Sequence, residues 1–513
     1  IILPDATVKQ FACDAVGHLV QYTDPSGGVT RQEYDSAGRL IRIAHPDGTE
    51  TRTTYDPVFP ERPISVTDRL GRITRSSYDA LGRLVEVTAP GNAISRFGYD
   101  ANGNRTVLVD PLGQRYEFRY DALNRLTEEV DPEGRSRLHE YDAAGNRTAT
   151  TDRNGRRRAF TYDAQNRLQE ERWLNADASL LRTIAHTYDR ADQLTTVNDP
   201  HVNLSLGRMF VPNGPLLSED VRYTGAPERR SAFDYDAAIR RSGVKVTTTS
   251  PTLEPAVSIR FTRDLAGRLR ILSSSDLLPP SKLKGLDFQL QFWRTPRGDV
   301  SELRRFADSR GTKPVSQSLL DYRDPCGCRL DRIEHIVATN QPLPEAAQAF
   351  SRNAAGQVTS TIEGPTETAY GYDAAGQLTS VKRNGIPVES YAYDVNGNRQ
   401  SSHRHASYTI GSGNRLRQGG DWTLAYDFEG NLVTKSNTVS GVVLSLFWDY
   451  RNRLTRVERQ NPGDSAPLVT DYRYDPFNRR IAVTKEGHTT WTYYDGGQPL
   501  VDFVDDESTP TAI

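Results

Sequence analysis

The chain has 513 residues, 36% of them hydrophobic, and its 64 Lys+Arg against 66 Asp+Glu give a formal net charge of -2. The apolar share lies below the roughly 45–50% of an ordinary globular domain, so little of the chain can be buried on both faces, and near-neutrality excludes a general attraction to nucleic acid or to an anionic membrane. Disorder is excluded as well: disordered chains are poor in aromatics and rich in net charge, whereas this one holds 24 Tyr, 16 Phe and 5 Trp.

From the first residue, Ile1, no basic-then-apolar leader follows, and no apolar run reaches the about 18 residues that a membrane-spanning helix needs. The chain therefore reads as a fragment whose targeting information lies elsewhere. Its three cysteines, Cys13, Cys326 and Cys328, do not form the even framework of a disulfide-stapled domain.

A repeat then takes over. Tyr-Asp recurs at Tyr34, Tyr55, Tyr78, Tyr99, Tyr120, Tyr141 and Tyr162, in steps of 21 residues except for the step from 55 to 78. It returns at Tyr188, Tyr235, Tyr372, Tyr393, Tyr426 and Tyr474, with degenerate copies at Phe261-Thr-Arg-Asp264, Phe350-Ser-Arg-Asn353 and Trp448-Asp449. Each unit carries two turn signals. The first follows Tyr-Asp, as in Tyr78-Asp-Ala-Leu-Gly-Arg-Leu84, and the second is Asp-Pro-x-Gly or a relative, as in Asp110-Pro-Leu-Gly113 and Asp131-Pro-Glu-Gly134. Asp accepts local backbone N–H bonds, Pro presets φ, and Gly or Asn accepts a positive φ.

The segments between turns are short and alternating, so each unit is a two-stranded hairpin. Tyr116-Glu-Phe-Arg-Tyr120 sets three aromatics on one face. Stacked units would align tyrosines on that face, while strands such as Thr49-Glu-Thr-Arg-Thr-Thr54 are too polar for a buried sandwich and suit a wall wetted on both sides. Roughly forty strands at about 4.8 Å spacing run on the order of 190 Å, and closing such a sheet leaves a bore far wider than the about eight strands that side chains can fill. The fold class expected is all-β: spiralling antiparallel hairpin repeats forming a hollow shell or large barrel.

The array is read as a single domain over 1–513, with regular repeats over about 11–200, irregular ones over about 200–350 and further ones over about 350–500. The breaks at about 199–230, 275–350 and 400–420 are expected to be longer strands, loops or drifted repeats. The middle break contains Pro279-Pro280, Pro342-Leu-Pro344 and Asp324-Pro-Cys-Gly-Cys-Arg-Leu330.

With its Tyr-Asp-x-x-Gly-Arg-Leu signature and following Asp-Pro-x-Gly turn, the sequence resembles the Rhs/YD-repeat family, over about 10–500. The resemblance implies a spiralling β-cocoon, as in bacterial Rhs polymorphic toxins, the shell subunits of insecticidal toxin complexes and the teneurin barrel. It implies structural motif residues at Tyr78, Asp79, Gly82, Arg83, Leu84, Tyr99, Asp100, Tyr120, Asp121, Tyr141, Asp142, Tyr162 and Asp163. In bacterial members the shell encloses a C-terminal toxin and an aspartyl autoprotease cuts near its end. Tyr493-Tyr-Asp-Gly-Gly-Gln-Pro-Leu500 resembles the lead-in to the late repeats, but neither the closing motif nor a toxin domain follows in this sequence, so autoproteolysis carries over to no residue here.

Catalytic chemistry finds no foothold in the pattern. Asp100, Asp121 and Asp142 occupy positions that ask for a turn acceptor, and Asp505-Asp506 reads as a solvated pair. Cys326 and Cys328 lack a second ligand pair, His335 stands alone, and His403 and His405, read as alternating on one strand face, lack a third ligand. No nucleophile elbow or phosphate loop occurs. Arg105, Arg125, Arg147 and Arg167 recur after Gly or Asn and are expected to pair with cross-strand acids such as Glu128 and Glu170. No catalytic, cofactor or metal residue is assigned, and the chain is not read as an enzyme.

The function expected is a structural shell around a polypeptide cargo, a toxin domain, that is exported, secreted or held at the cell surface and engages a secretion or injection apparatus. No nucleic acid partner and no membrane span are expected. The alternative is an adhesion or recognition module binding glycan or protein through the outer face of the sheet.

Overall fold

The computed structural model describes residues 8–25, 27–223, 228–248, 256–264, 267–276, 288–295, 298–322, 330–337 and 342–504. Within them the chain forms 44 strands, two single-turn 3-10 segments at Pro200–Val202 and Ser412–Asn414, and no α-helix. Successive strands pair antiparallel within two sheets, one of 34 strands and one of 10 that begins at Tyr408–Gly411. Ile73–Tyr78 pairs with Leu84–Ala89, which pairs in turn with Ala93–Tyr99.

One turn geometry serves both ends of a repeat. At 79–83 the Asp79 N–H donates to the Arg83 carbonyl at 3.0 Å and the Gly82 N–H to the Asp79 carbonyl at 2.9 Å. Asp79 Oδ1 accepts the N–H groups of Leu81 and Arg83 at 3.0 and 2.9 Å. This is a three-residue hairpin loop whose last residue is left-handed, with the ladder shifting register at Tyr78. The Asp-Pro-x-Gly end closes in the same way, since Asp131 N–H donates to Arg135 at 3.0 Å and Gly134 N–H to Asp131 at 2.9 Å.

The left-handed position is where the choice of residue matters. Gly82 has φ 71°, and a Cβ there would also come within 3.1 Å of the Phe59 and Arg62 side chains. Asn124 and Asn166 hold the same place at φ 61°. The longer step from Tyr55 to Tyr78 is taken up by a wider turn, in which Asp56 N–H donates to Arg62 and Arg62 N–H to Phe59.

The chain forms two compact units, each assembled from separate stretches. The first comprises Ile1–Tyr116, Thr262–Leu272 and Gln289–Tyr408, and the second Glu117–Phe261, Ser273–Phe288 and Thr409–Ile513. In the first, strands such as Leu40–Ala44, Pro63–Thr67 and Leu84–Ala89 are half-buried along their whole length, as a wall of polar and apolar residues requires.

The second unit departs from a wall wetted on both sides. Its strands lengthen to nine residues at Leu180–Tyr188 and eight at Leu216–Tyr223. Alternate apolar residues on this stretch, Ile184, Val197, Leu204, Leu206 and Val244, are 0–1% exposed, and Ile481, Ala482 and Trp491 from the late repeats are 0–2% exposed. Tyr223 stacks on Trp491 with ring centroids 5.5 Å apart. Here late repeats cover early ones and a dry core results.

One turn violates the repeat's conformational rule. Ile239, β-branched, stands at φ 60° where other turns place Gly or Asn, or Asp at 192 and Ala at 178, and its side chain is 68% exposed. A β-branched residue in that region is strained and gains nothing from burial. Ile239→Asn should therefore raise the unfolding free energy by about 1 kcal/mol, read as a higher urea midpoint at unchanged slope; a lowered midpoint would contradict the strain.

Candidate functional site: the repeat turns and the seam between distant repeats

The motif residues link each repeat to the next. Asp79, Asp121 and Asp163 each accept the Nε–H of the arginine four residues on, Arg83, Arg125 and Arg167, at 2.7–2.8 Å. Asp100 and Asp142 accept instead from the side-chain amides of Asn104 and Asn146 at 2.9 and 3.0 Å. The turn arginine then reaches forward. Arg83 Nη1 donates to the Asp100 carbonyl at 2.8 Å and Arg125 Nη1 to the Asp142 carbonyl at 2.7 Å, while their guanidinium groups lie over the rings of Tyr99 and Tyr141 at 4.9 and 4.8 Å.

The tyrosine closes the link backward. The hydroxyls of Tyr78, Tyr99, Tyr141 and Tyr162 donate to the carbonyls of Pro63, Leu84, Leu126 and Arg147 at 2.8–2.9 Å. Tyr120 ends the strand Arg115–Tyr120 opposite Leu126. The backbone N–H of the turn arginine, more than its side chain, holds the Asp79, Asp121 and Asp163 carboxyls below their usual range, so these acids stay ionised as turn acceptors.

Arg125 and Arg167 do not pair across strands with Glu128 and Glu170 as the sequence suggests. Arg125 and Arg167 take their own turn aspartates, while Glu128 pairs with Arg119 and Ser136, and Glu170 with Arg172. The fork of an arginine matches a carboxylate four residues back that the turn already holds in place, and a cross-strand glutamate cannot compete. Arg105 and Arg147 follow Asn104 and Asn146, which fill the position facing the turn aspartate, so these two arginines fall one residue outside it.

Degenerate repeats keep the acceptor and change the donor. Trp448 Nε1 donates to the Leu432 carbonyl at 2.8 Å, and Arg294 Nη2 to the Leu269 carbonyl at 3.1 Å. The recurring demand is an N–H or O–H aimed at the start of the preceding strand. Sequence reading missed Arg294 in this role because it searches for an aromatic.

In the second unit the turns also meet repeats far along the chain. Glu429, whose side chain is fully buried, accepts the Arg153 backbone N–H at 2.6 Å and pairs with the Arg137 guanidinium. Asn154 donates its side-chain amide to Asp427 at 3.0 Å and accepts the Phe428 N–H at 2.9 Å. Arg156 holds Asp152 at 2.6 Å, donates to the Asp449 carbonyl and to Asn452 Oδ1 at 2.7 Å each, and lies over the Tyr450 ring. Arg451 grips Glu171 through Nε at 3.1 Å and Nη2 at 2.5 Å, and Trp173 stacks on Tyr450 at 5.3 Å. These partners lie 273 to 296 residues apart. The first unit shows the same spacing by itself, where Asn396 donates to Asp110 Oδ2 at 2.8 Å across 286 residues.

A sequence signal for this seam exists. The two residues after Tyr-Asp are Ala-Leu at 80–81 and 122–123 and Ala-Ala at 143–144, but Phe428-Glu429, Tyr450-Arg451 and Pro476-Phe477 in the last repeats. Those late pairs are the residues that dock.

The other candidates take ordinary places. His335 Nδ1 shares a hydrogen bond with Ser318 at 2.8 Å. His403 and His405 lie in a bend closed by Ser402 and His405 backbone bonds, after the strand Arg399–Ser402 has ended, and not on a strand face. Their rings meet Tyr391 and Tyr408 edge-on. Cys326, Cys328, Asp324 and the pair Asp505-Asp506 lie outside the described residues, as do Pro279-Pro280. Among the described residues no group of three or more His, Cys, Asp and Glu side chains is gathered as a metal would require, and no helix is long and apolar enough to cross a membrane.

Antiparallel hairpins turned by Tyr-Asp-x-x-Gly-Arg-Leu and bonded turn to turn define a YD-repeat β-wall. The chain belongs to the Rhs/YD-repeat family: the RHS Repeat model matches residues 14–50, 62–94, 99–136 and 141–172, and the Teneurin YD-shell model matches 347–500. It is 34% identical over 119 residues to double-stranded DNA deaminase toxin A of Burkholderia cenocepacia, covering 23% of this chain and 8% of that protein. It is 29% identical over 165 residues to the probable deoxyribonuclease RhsB of Dickeya dadantii, covering 30% and 11%. These matches thus span about a tenth of each relative. Among solved structures, the Photorhabdus luminescens Tc holotoxin pore superposes with a TM-score of 0.71 at 14% identity, and TcdB2-TccC3-Cdc42 with 0.70 at 15%, each over 98% of this chain and 31% of the other. At such identities the likeness is one of fold.

Two outcomes test the seam. Arg156→Ala removes a largely buried partner from Asp152 together with two hydrogen bonds and a ring contact across the seam, and should cost about 2–3 kcal/mol, whereas Arg119→Ala, on a 60% exposed arginine, should change stability little; equal effects in urea unfolding would count against the seam. For pH, burial opposes ionisation of Glu171 and Glu429, but hydrogen bonds and charge from Arg451 on the first, and from Arg153 and Arg137 on the second, outweigh it and hold both below the ordinary 4.5. Their stabilisation is complete above about pH 4.5 and is lost as pH falls through the lowered folded values. Melting temperature should drop steeply below pH 4.5, and Glu171→Gln should flatten that drop.

Proposed function

We propose that the chain is part of the wall of a hollow container that encloses a polypeptide, a toxin domain, and keeps it apart from the producing cell until delivery by a secretion or injection apparatus. The whole chain is taken as one repeat array in that wall, working outside the cell or at its surface. The observation that carries this reading is how the motif side chains are used: in repeat after repeat the Tyr, Asp and Arg are committed to neighbouring repeats, from Arg83 on Asp100 and Tyr99 to Arg156 on Asp449. A surface built so is a barrier, and its function lies in what it separates.

The relatives support the cargo. Two are named for a DNA deaminase toxin and a probable deoxyribonuclease, yet the stretch shared with this chain is a small share of each. We assign the enzymatic activity in those names to other parts of those proteins and the enclosing role to the repeats. The fold match to a Tc holotoxin pore component over 98% of this chain agrees with that division.

Electron microscopy of the purified protein, combined with limited proteolysis, tests the proposal. A particle with a lumen, holding a polypeptide that resists protease until the wall is opened at acid pH, is the expected result. A solid particle, or an associated polypeptide cut equally fast before and after opening, would overturn it.

A further inference from the structure

Within the second unit, a polar cleft of ≈ 460 Å³ is bordered by Arg147, Arg158, Phe160, Glu171, Arg451 and Asn478, with Asp152 and Glu429 also at its wall. The neighbouring strands fix its floor, with Thr150 opposite Arg158 and Phe160 opposite Glu171. Its carboxylates are committed. Glu171 accepts Trp173 Nε1 at 2.7 Å and both Nε and Nη2 of Arg451. Asp152 is held by Arg156 and by the turn N–H groups of Asn154 and Arg156. Glu429 is taken by Arg137 and Arg153.

One cation is loosely held and a second is unspent. Arg158 reaches Glu171 only at 3.5 Å, and the Arg147 guanidinium makes no hydrogen bond or ion pair among the described residues. The two lie 5.7 and 5.8 Å from the centre of the Phe160 ring, so both face one small volume. Arg451 adds its charge nearby, and burial together with repulsion from Arg451 and Arg147 lowers the Arg158 pKa. Across the cleft, Asn478 Oδ1 accepts from Arg451 and Arg453 at 3.2 Å each, which leaves the Asn478 amide N–H groups as donors. Positive charge in excess of the carboxylates, with unspent N–H donors on both sides, is the chemistry that holds an oxyanion.

We infer that this cleft binds a small multivalent oxyanion, a phosphate or a polycarboxylate, between Arg147 and Arg158 of the early repeats and Asn478 of the late ones. The anion would join stretches of chain that the seam already brings together, and binding would stabilise the wall by mass action.

The test uses the whole chain, with inorganic phosphate in one arm, citrate in a second and chloride at matched ionic strength as the control, since screening alone alters surface ion pairs. Calorimetry should show saturable binding of phosphate, citrate or both, with a rise in melting temperature that chloride does not give; which arm saturates identifies the oxyanion. Arg147→Gln removes a side chain whose one fold contact is the face of Phe160, and should weaken binding about tenfold or more while changing the melting temperature in chloride only slightly. Arg158→Gln should do the same, and calorimetry reads it even if that variant is less stable. Absence of saturable binding in both arms, or binding that is the same in Arg147→Gln, would overturn the site.

Discussion

The fold depends on an ionised aspartate at the start of a three-residue loop. Its Oδ1 fixes the loop by accepting two backbone N–H groups, and its Oδ2 aims an arginine, as Asp121 does with Arg125. Once aimed, the arginine covers the next tyrosine and bonds the next aspartate's carbonyl, and that tyrosine bonds the strand behind it. A local turn preference thereby becomes a contact between repeats, which is what a repeat protein needs, since a single hairpin is marginal in water. The motif spacing follows from geometry: the arginine stands four residues from the aspartate because that is the other end of the loop.

A second use of the same parts appears at the seam. Arg156 belongs to an Asp-Pro-type turn, yet it meets the Asp449 carbonyl and Tyr450 much as Arg83 meets Asp100 and Tyr99. Neighbours in space replace neighbours in sequence. Where the seam covers the turns, exposure collapses, and Asp475 reaches 0%. The dry core around Ile184, Leu206 and Ile481 lies beside this covered region, so the second unit combines an ionic seam with apolar packing that the half-buried strands of the first unit lack.

Much of this is legible in the sequence, and the limit has a physical cause. Turns, strands and their alternation are local, and Tyr78-Asp-Ala-Leu-Gly-Arg-Leu84 announces each of its roles through residue type. What escapes is non-local. Nothing near Glu171 says that its partner is Arg451, and the pairing of Arg125 with Asp121 over Glu128 is decided by which carboxylate the backbone already holds still. Arg294 hides because the demand at its position is for a donor and not for a ring. The motif positions written as x, which look free to vary, become the docking residues of late repeats, as Phe428 and Glu429 show.

The near-constant separation of seam partners sets a rule for how such a chain can change length. Within the second unit, Asn154 meets Asp427 across 273 residues and Arg156 meets Asn452 across 296, so every residue between them is counted. Adding one residue to a loop tip leaves that count's meaning intact only if the loop itself absorbs it, as the wide turn at 56–62 does. The Asp-x-x-Gly/Asn loop recurs in repeat after repeat, whereas Glu429 meets Arg137 and Arg153, and Glu171 meets Arg451, at one pairing each. The seam is thus graded in its demands: turn shape repeats with every unit, whereas charge matches at only one pairing, and the seam's register is fixed by the pattern of acids and arginines more than by the hairpins that bear them.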